Sequence, residues 1–314
     1  MSNLDRMLEA ARRISWDNRG RRITFYLPGM FTLDGRTGNY PALSITGSKC
    51  DLRCDHCQGK LLEFMIPAVD PDALIEKCLA LDRKGRCGVL ISGGCDRDGS
   101  LPWEPFLPAI RAVKEKTRLF ISVHAGFIRE KEAAGLKQAG VDQALVDVIG
   151  DDETLQRIYH VPFGVERIVA GLEALQKARV PVVPHIVCGI DYGRMRGEQT
   201  ALDIVAPFKV EQVVVLSLMG IPATPVQRAA PPRAEAVAEL IALARFKMPD
   251  TLISLGCARP RGSRRLELLA VDAGVNRMAL PSDEALERAR SYGLDIRYQN
   301  TCCSVPEGRI GCDG

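Results

Sequence analysis

The sequence lacks any long apolar run. No segment of its 314 residues approaches the roughly 20 consecutive apolar residues that a membrane-spanning helix needs. Residues 1–13 alternate apolar and charged side chains at helical spacing, without the apolar centre of a secretory signal. We therefore expect a cytoplasmic protein that is neither exported nor inserted in a membrane.

A strong excess of one charge is also missing. The 42 Lys and Arg residues stand against 39 Asp and Glu residues, which leaves a formal net charge of +3. Proteins that bind nucleic acids usually present a clustered basic face. The one basic stretch, within residues 259–265, is short, and it fits a solvated loop or a loop that binds a substrate carboxylate better. No nucleic-acid partner is expected.

Internal repeats, low-complexity tracts and long linkers are absent too, which favours one large folding unit. Short apolar runs alternate with amphipathic stretches, a pattern typical of a parallel sheet wrapped by helices. The predicted strands are residues 42–46, 88–92, 119–124, 143–148, 182–187, 212–218, 251–255 and 277–280. Eight such units predict an α/β fold of the (β/α)8 TIM-barrel type.

Two extensions flank the predicted barrel, which spans residues 41–292. Residues 1–40 form a preamble with a helix near 4–14 and a strand at 22–27, expected at an edge outside the barrel. Residues 293–314 form a cysteine-containing extension that begins with a strand at 294–299. If that last strand runs parallel beside the barrel, it brings the cysteines after it to the barrel mouth.

Cysteine, in contrast, is plentiful, with eleven residues. In a reduced compartment such a number favours metal sites over disulfides. Cys50, Cys54 and Cys57 follow the first predicted strand in one loop, at the end where barrels place their catalytic loops. Three thiolates on a four-iron cluster leave one iron open to bind another molecule. The loop therefore predicts a [4Fe-4S] cluster with one open iron.

Two alternatives stay open for this loop. His56 could complete a zinc site as a fourth ligand, or the cysteine spacing could be incidental. Zinc sites typically pair two close-spaced motifs, and the sequence has no second C-x-x-C.

The C-x-x-x-C-x-x-C spacing after a first strand resembles the radical S-adenosylmethionine (SAM) superfamily. The resemblance implies that the open iron chelates SAM, and that an electron from the cluster cleaves SAM to a 5′-deoxyadenosyl radical. It also implies an external electron donor as a partner. It also places His56 near the adenine. Ser92, Gly93 and Gly94 end the second strand, where the family contacts the amino group of SAM through the backbone. Cys95 replaces the usual acidic residue there, and a simple tight turn is the alternative.

Later strand ends offer further SAM contacts by the same resemblance. His185 and Gly189 lie at the end of the fifth strand, where related enzymes hold the adenosine, and Met219 follows the sixth strand. The alternative for His185 is a histidine buried in the core.

A second group of cysteines also falls where the barrel mouth is expected. Such an accumulation of thiols predicts an auxiliary [4Fe-4S] cluster. Its candidate ligands are Cys95, Cys257, Cys302 and Cys303. Redox-active thiols or ordinary buried cysteines are the alternatives, and Cys312 lies further along the tail.

Two further resemblances concern the reaction. Residues 255–262 and 273–277 look like the last barrel units of biotin-synthase-like radical SAM proteins, in which Arg259 matches an active-site arginine. Residues 25–30, 40–42, 57–63 and 301–304 are similar to the two-component, archaeal-type lipoyl synthase family. That family implies sulfur insertion into a protein-bound octanoyl chain, with sulfide from an auxiliary cluster. Its implied partners are a related radical SAM protein and an octanoylated carrier domain or peptide.

Two other functions remain open at this point. One is a biotin-synthase-like radical enzyme that performs a rearrangement or a cofactor-maturation step. The other is a non-catalytic iron–sulfur or zinc protein that binds a partner.

Overall fold

The fold is built on one sheet of eleven strands, with a separate two-stranded hairpin. The computed structural model describes residues 2–33 and 35–308. The strands are β1 (Arg22–Tyr26), β2 (Thr32–Leu33), β3 (Arg36–Thr37), β4 (Ala42–Ser44), β5 (Ile66–Pro67), β6 (Gly88–Ser92), β7 (Phe120–His124), β8 (Gln143–Asp147), β9 (Val182–Cys188), β10 (Gln212–Ser217), β11 (Leu252–Leu255), β12 (Arg277–Ala279) and β13 (Asp295–Gln299).

Helices follow most of these strands. They are α1 (Asn3–Arg19), α2 (Pro71–Arg83), α3 (Trp103–Lys116), α4 (Glu130–Gln138), α5 (Asp152–Thr154), α6 (Glu166–Lys177), α7 (Glu198–Val205), α8 (Ala234–Lys247), α9 (Arg264–Asp272) and α10 (Asp283–Ser291). A 3-10 helix, Lys60–Phe64, and a π-helical turn, Leu155–Tyr159, complete the set. Local signals start several helices: Asp70 caps α2 ahead of Pro71, and Ser282 caps α10.

The eight predicted barrel strands are all present, as β4 and β6 to β12, and each pairs in parallel with its neighbours. This confirms the α/β class and the TIM-type alternation of strands and helices. The sheet, ordered β13-β1-β12-β11-β10-β9-β8-β7-β6-β4-β5, is an open, curled half-barrel. Among the described strands no ladder joins the two edges, β13 and β5, so this TIM-type sheet is open on one side.

Strand β1 lies inside the sheet. The prediction that it is an edge strand outside the barrel is wrong, because it pairs in parallel with β12 on one side and β13 on the other. Four of its five residues are buried, as expected for a parallel strand covered on both faces. Strand β13 forms the sheet edge beside it, in the parallel direction expected from the sequence.

The chain after β13 turns into the barrel. Gln212 donates its side-chain N–H to the carbonyl of Cys303 at 2.7 Å, and Gln143 donates to that of Ser304 at 3.2 Å. Arg277 donates to the carbonyls of Cys303 and Val305, both at 3.3 Å. Since these three side chains belong to the first residues of β10, β8 and β12, the tail fills the amino-terminal end of the barrel interior.

The placement of the tail cysteines therefore differs from the expectation. Cys303 packs among inward-facing side chains of several strands, including Leu145 and Val214. The two cysteines lie inside the barrel and do not ring its mouth. Cys312 lies outside the described residues.

The division of the chain at residues 40 and 292 stays a prediction. Strands from both extensions pair within the same sheet as the barrel strands. Among the described helices, none has the length and apolar character needed to cross a bilayer.

We expect Arg277→Ala to lower the free energy of unfolding of the apo-protein by about 3 kcal/mol, because it leaves the buried Val305 carbonyl and the Gln212 amide oxygen without their donor. Urea titration measures the change. The matched control is Arg297→Ala, which removes an arginine paired with Asp295 on the exposed edge strand and should cost under about 1 kcal/mol. Equal losses in the two variants would contradict the structural role of Arg277.

Candidate active site

The loop that carries Cys50, Cys54 and Cys57 follows β4 at the carboxyl end of the sheet. Cys57 and Gln58 both donate their backbone N–H to the carbonyl of Cys54, at 3.1 and 2.8 Å, which forms a turn between the last two cysteines. The Gln58 side chain donates to the carbonyl of Arg53 at 2.7 Å. These local bonds direct all three thiols into one cleft.

The thiols of Cys54 and Cys57 act on one another. A hydrogen bond from Cys54 holds the pKa of Cys57 well below its usual range, while the same contact raises that of Cys54. Burial opposes protonation of His56, but the neighbouring Cys57 outweighs it and the pKa of His56 is raised. The loop thus favours a thiolate, the form that binds metal.

The turn after β6 packs directly on this loop. A Cβ atom at Gly94 would lie 1.9 Å from the carbonyl oxygen of Lys49 and 2.6 Å from the Cα of Cys50. The backbone N–H of Gly94 donates to the Thr46 hydroxyl at 2.6 Å, and that of Asp51 donates to the carbonyl of Cys95 at 2.8 Å. Glycine is required here by a close approach of two loops, so a simple tight turn does not account for it.

The two loops form one wall of a cleft whose empty volume, open mouth included, is about 1070 Å³. Predicted residues that line it are Cys50, Cys54, His56, Cys57, Ser92, Gly93, Gly94 and Cys95. Its opposite wall is largely apolar and includes Leu101, Phe127, Val146 and Ile168. The structure therefore brings the predicted cluster ligands and the predicted SAM-binding turn into one chamber.

Sequence reasoning missed two polar residues of this chamber. Asp147 ends β8, and Tyr159 ends the π-helical turn; both line the cleft. The Tyr159 hydroxyl is buried without a hydrogen-bond partner in the described part of the chain. The position of Asp147 at a strand end was a usable signal, whereas nothing local in the sequence marks the turn that presents Tyr159.

Four of the predicted SAM-binding and catalytic residues do not line the cleft in the described structure. The backbone N–H of Gly189 donates to the Glu198 carboxylate at 2.7 Å, in the loop after β9. Met219 lies half-buried after β10. His185 is buried below the cleft, with its Nδ1 3.0 Å from the carbonyl of Val183. The fourth is Arg259.

Arg259 faces away from the cleft. Its guanidinium is 1% exposed and pairs with Glu267 at 2.8 Å. It also donates to the carbonyls of Gly256 at 2.6 Å and Leu280 at 2.9 Å. A buried guanidinium needs such partners, and they occupy the side chain, so this geometry does not support the prediction that Arg259 is catalytic.

His185 packs against His124, which lines the cleft. The two rings lie 5.6 Å apart. Burial, together with His124, lowers the pKa of His185 to about 4. The ring is neutral near pH 7, as expected of a histidine inside a core.

Three of the four candidate auxiliary ligands share the barrel interior. The thiols of Cys302 and Cys303 hydrogen-bond to one another, Cys257 acts electrostatically on Cys303, and Cys302 acts on Cys257. The Ser304 hydroxyl donates to the sulfur of Cys302 at 3.3 Å. The hydrogen bond from Cys303 lowers the pKa of Cys302, to which His124 also contributes.

Cys95 does not belong to this second set. Burial raises its pKa to about 12, and its neighbouring charges are those of the cleft, led by Cys50. Because the turn after β6 is fixed against the cysteine loop, the sulfur of Cys95 lies with the thiols of Cys50, Cys54 and Cys57. Grouping Cys95 with the three barrel thiols is therefore corrected.

The donor sets suit clusters better than a single metal ion. Within residues 2–33 and 35–308, no three His, Cys, Asp or Glu side chains lie close enough to hold one ion. Thiolates on a four-iron cluster each bind a different iron, so three of them need not meet at one ion. Three convergent thiols, one of them favoured as thiolate, fit the predicted [4Fe-4S] cluster.

Solved structures with similar folds include methylornithine synthase (PylB) and the FeFe-hydrogenase maturase HydG from Carboxydothermus hydrogenoformans. The first is 18% identical, with a TM-score of 0.63 over 90% of this chain and 80% of its own. The second is 16% identical, with a TM-score of 0.64 over 95% of this chain and 73% of its own. At these identities the likeness concerns the fold alone.

Curated relatives share more sequence. The biotin synthase of Synechococcus sp. (strain CC9605) is 25% identical over 248 residues, 74% of this chain and 72% of that protein. The biotin synthase of Halorhodospira halophila (strain DSM 244 / SL1) is 26% identical over 247 residues, which are 76% of this chain and 74% of that protein.

The family model described as the radical SAM superfamily matches residues 44–203, half of the chain. The matched segment contains the cysteine loop, the glycine turn that packs on it, and both Asp147 and Tyr159. The family implies a [4Fe-4S] cluster and SAM, which the donor set and the chamber fit. The chain belongs to the radical SAM superfamily.

Proposed function

We propose that this radical SAM enzyme inserts sulfur into a protein-bound octanoyl chain, as one component of a lipoyl synthase pair. The observation that carries the proposal is the position of the tail thiols. Cys257, Cys302 and Cys303 share the barrel interior, and His124 links them to the cleft, since it lines the cleft and acts on Cys302. A sulfur source beside the radical chamber is what such a reaction requires.

The chain's own residues prepare the chamber for this chemistry. Cys50, Cys54 and Cys57 would hold the [4Fe-4S] cluster, which together with SAM supplies the 5′-deoxyadenosyl radical. The backbone of Gly93 and Gly94 lies against the same loop, where the family binds the SAM amino group.

The rest of the chamber suits a hydrocarbon substrate. Its apolar wall can hold an acyl chain and exclude water, which protects a radical from side reactions.

An auxiliary cluster would be held by Cys257, Cys302 and Cys303 and would supply the sulfur. The barrel thiols do not line the cleft, but His124 lines it and acts on Cys302. This neighbourhood supports the arrangement, because proximity and orientation govern capture of a short-lived carbon radical.

The substrate and partners of this proposal come from the resemblance to two-component lipoyl synthases. The 3-10 helix beside the cleft carries Phe64, which is 72% exposed, and Leu61 and Met65 line the opening. An apolar rim of this kind suits delivery of an octanoyl chain by a carrier domain. A related radical SAM partner and an external electron donor complete the proposed system.

Biotin formation is the second candidate. It is favoured by the biotin synthases that share about a quarter of their residues over roughly three quarters of both chains. Rearrangement or maturation chemistry has only fold-level likeness behind it, and fold does not determine function.

Mass spectrometry of an octanoylated carrier-domain peptide tests the proposal. The peptide is incubated anaerobically with reconstituted protein, SAM and reductant, with and without a paired radical SAM enzyme, and a parallel reaction contains the sulfur-free biotin precursor. We expect sulfur-bearing octanoyl product and no biotin. Biotin in the parallel reaction would favour the second candidate. SAM cleavage without sulfur transfer to either substrate would exclude both.

A cysteine series tests the second thiol set. Cys257→Ala and Cys302→Ala should each lose about half of the reconstituted iron while SAM cleavage continues. Cys95→Ala should keep its iron, and Cys78→Ala, which changes a cysteine buried in α2, is the matched control. Iron analysis and 5′-deoxyadenosine yield are the measurements. A full iron content in both Cys257→Ala and Cys302→Ala would show that these two cysteines hold no cluster.

Gly94→Ala should lower 5′-deoxyadenosine formation by about two orders of magnitude, because its Cβ would collide with the backbone of the cysteine loop and displace the cluster and SAM. Gly85→Ala is a control elsewhere on the surface. A Cβ there would meet no atom within 4 Å, although the left-handed backbone at that residue adds some strain. Unchanged SAM cleavage in Gly94→Ala would contradict the close approach of the two loops.

A further inference from the structure

The cysteine loop carries a carboxylate that is not among the proposed ligands of the cluster or of SAM and does not line the cleft. Asp55 lies between Cys54 and His56, and its side chain is 15% exposed. Both of its oxygens are engaged: the Tyr192 hydroxyl donates to Oδ2 at 2.6 Å, and His160 Nε2 lies 2.9 Å from Oδ1. A third bond joins the backbone N–H of Asp55 to the carbonyl of Ile158 at 2.9 Å.

The partners of Asp55 come from two different loops. His160 follows the π-helical turn after β8, and Tyr192 lies in the loop after β9. Both residues have left-handed backbone, with φ of 59° and 49°, which residues other than glycine adopt at a cost in free energy. In these strained conformations the side chains of His160 and Tyr192 both contact the Asp55 carboxylate.

The loop after β9 is itself anchored. Asp191, which precedes Tyr192, is fully buried and pairs with Arg157 of the π-helical turn. The donors that reach Asp55 therefore belong to one connected support that spans the ends of β8 and β9.

The cysteine loop needs such support. Arg53 and Gln58, which flank the last two ligand cysteines, also have left-handed backbone, with φ of 50° and 49°. The same π-helical turn contacts the inner side of the loop, where Tyr159 packs on His56 with ring centroids 5.1 Å apart. The loop is thus held from both sides by one turn.

We propose that Asp55, His160 and Tyr192 form a latch that positions the cysteine loop for cluster and SAM binding. Asp55 acts as a positioning residue: its side-chain oxygens tie the loop to the ends of β8 and β9, so that the three thiols keep their convergence. The latch rests on membership of the radical SAM superfamily and is independent of the proposed sulfur insertion. Failure of the octanoyl reaction leaves it intact.

Asp55→Ala against Asp51→Ala is a matched comparison. Each aspartate directly follows a ligand cysteine, and each change removes one carboxylate from the same loop. The Asp51 side chain is exposed, whereas that of Asp55 accepts two bonds. The measurement is the anaerobic rate of iron release from reconstituted protein to a chelator.

We expect about tenfold faster iron release in Asp55→Ala and a rate near that of the unmodified protein in Asp51→Ala, since a hydrogen bond to a charged group contributes a factor of ten or more. Tyr192→Phe loses one bond and should release iron about threefold faster. The double variant should be no faster than Asp55→Ala, because the shared bond is already lost. Asp55→Asn keeps an acceptor oxygen, so it should release iron more slowly than Asp55→Ala.

A second readout separates positioning from general stability. Asp55→Ala should weaken SAM binding about tenfold and change the electron paramagnetic resonance spectrum of the reduced, SAM-bound cluster, while apo-protein melting shifts little. Equal iron release in Asp55→Ala and Asp51→Ala would overturn the latch. If Asp55→Ala does not fold, Tyr192→Phe decides, and unchanged iron release and SAM affinity in that variant would overturn the latch as well.

Discussion

The close approach of Gly94 to the cysteine loop governs the geometry of the cleft. A Cβ at that position would lie 1.9 Å from the Lys49 carbonyl oxygen, so only glycine allows the β6 turn and the loop to pack as one block. The Thr46 hydroxyl ties the two together by accepting the Gly94 N–H. The contact fixes the cysteine loop against the turn, and the three thiols of that loop line the cleft.

The interior of the half-barrel depends on a second constraint, the need of buried polar groups for partners. Gln143, Gln212 and Arg277 project inward from the beginnings of three strands, where bonds among neighbouring side chains satisfy only part of their polar groups. The carbonyls of residues 303–305 accept from them. The tail is therefore part of the barrel core, and the depth of Cys302 and Cys303 follows from where those carbonyls must lie.

Features that depend on local sequence could be predicted, whereas features that depend on contacts between distant segments could not. The eight barrel strands, the cysteine loop and the glycine turn depend on local periodicity and spacing, and all were found where the sequence indicated. The position of β1, the burial of Arg259 against Glu267 and the separation of Cys95 from the tail thiols depend on which distant segments pack together. Two cysteines at strand ends have the same local signal whether they face the cleft or the barrel interior.

The contents of the barrel interior bear on how chemistry differs among proteins that share this fold. Structures with TM-scores of 0.63 and 0.64 to this chain are named for methylornithine synthesis and hydrogenase maturation, so the shared fold does not by itself determine the reaction. In this chain the groups beneath the cleft are His124, His185 and the thiols brought by the tail. Under the proposed sulfur insertion, the tail thiols would supply the group that the substrate radical meets. The sequence after β13, which no barrel pattern predicts, would then decide the outcome of the reaction.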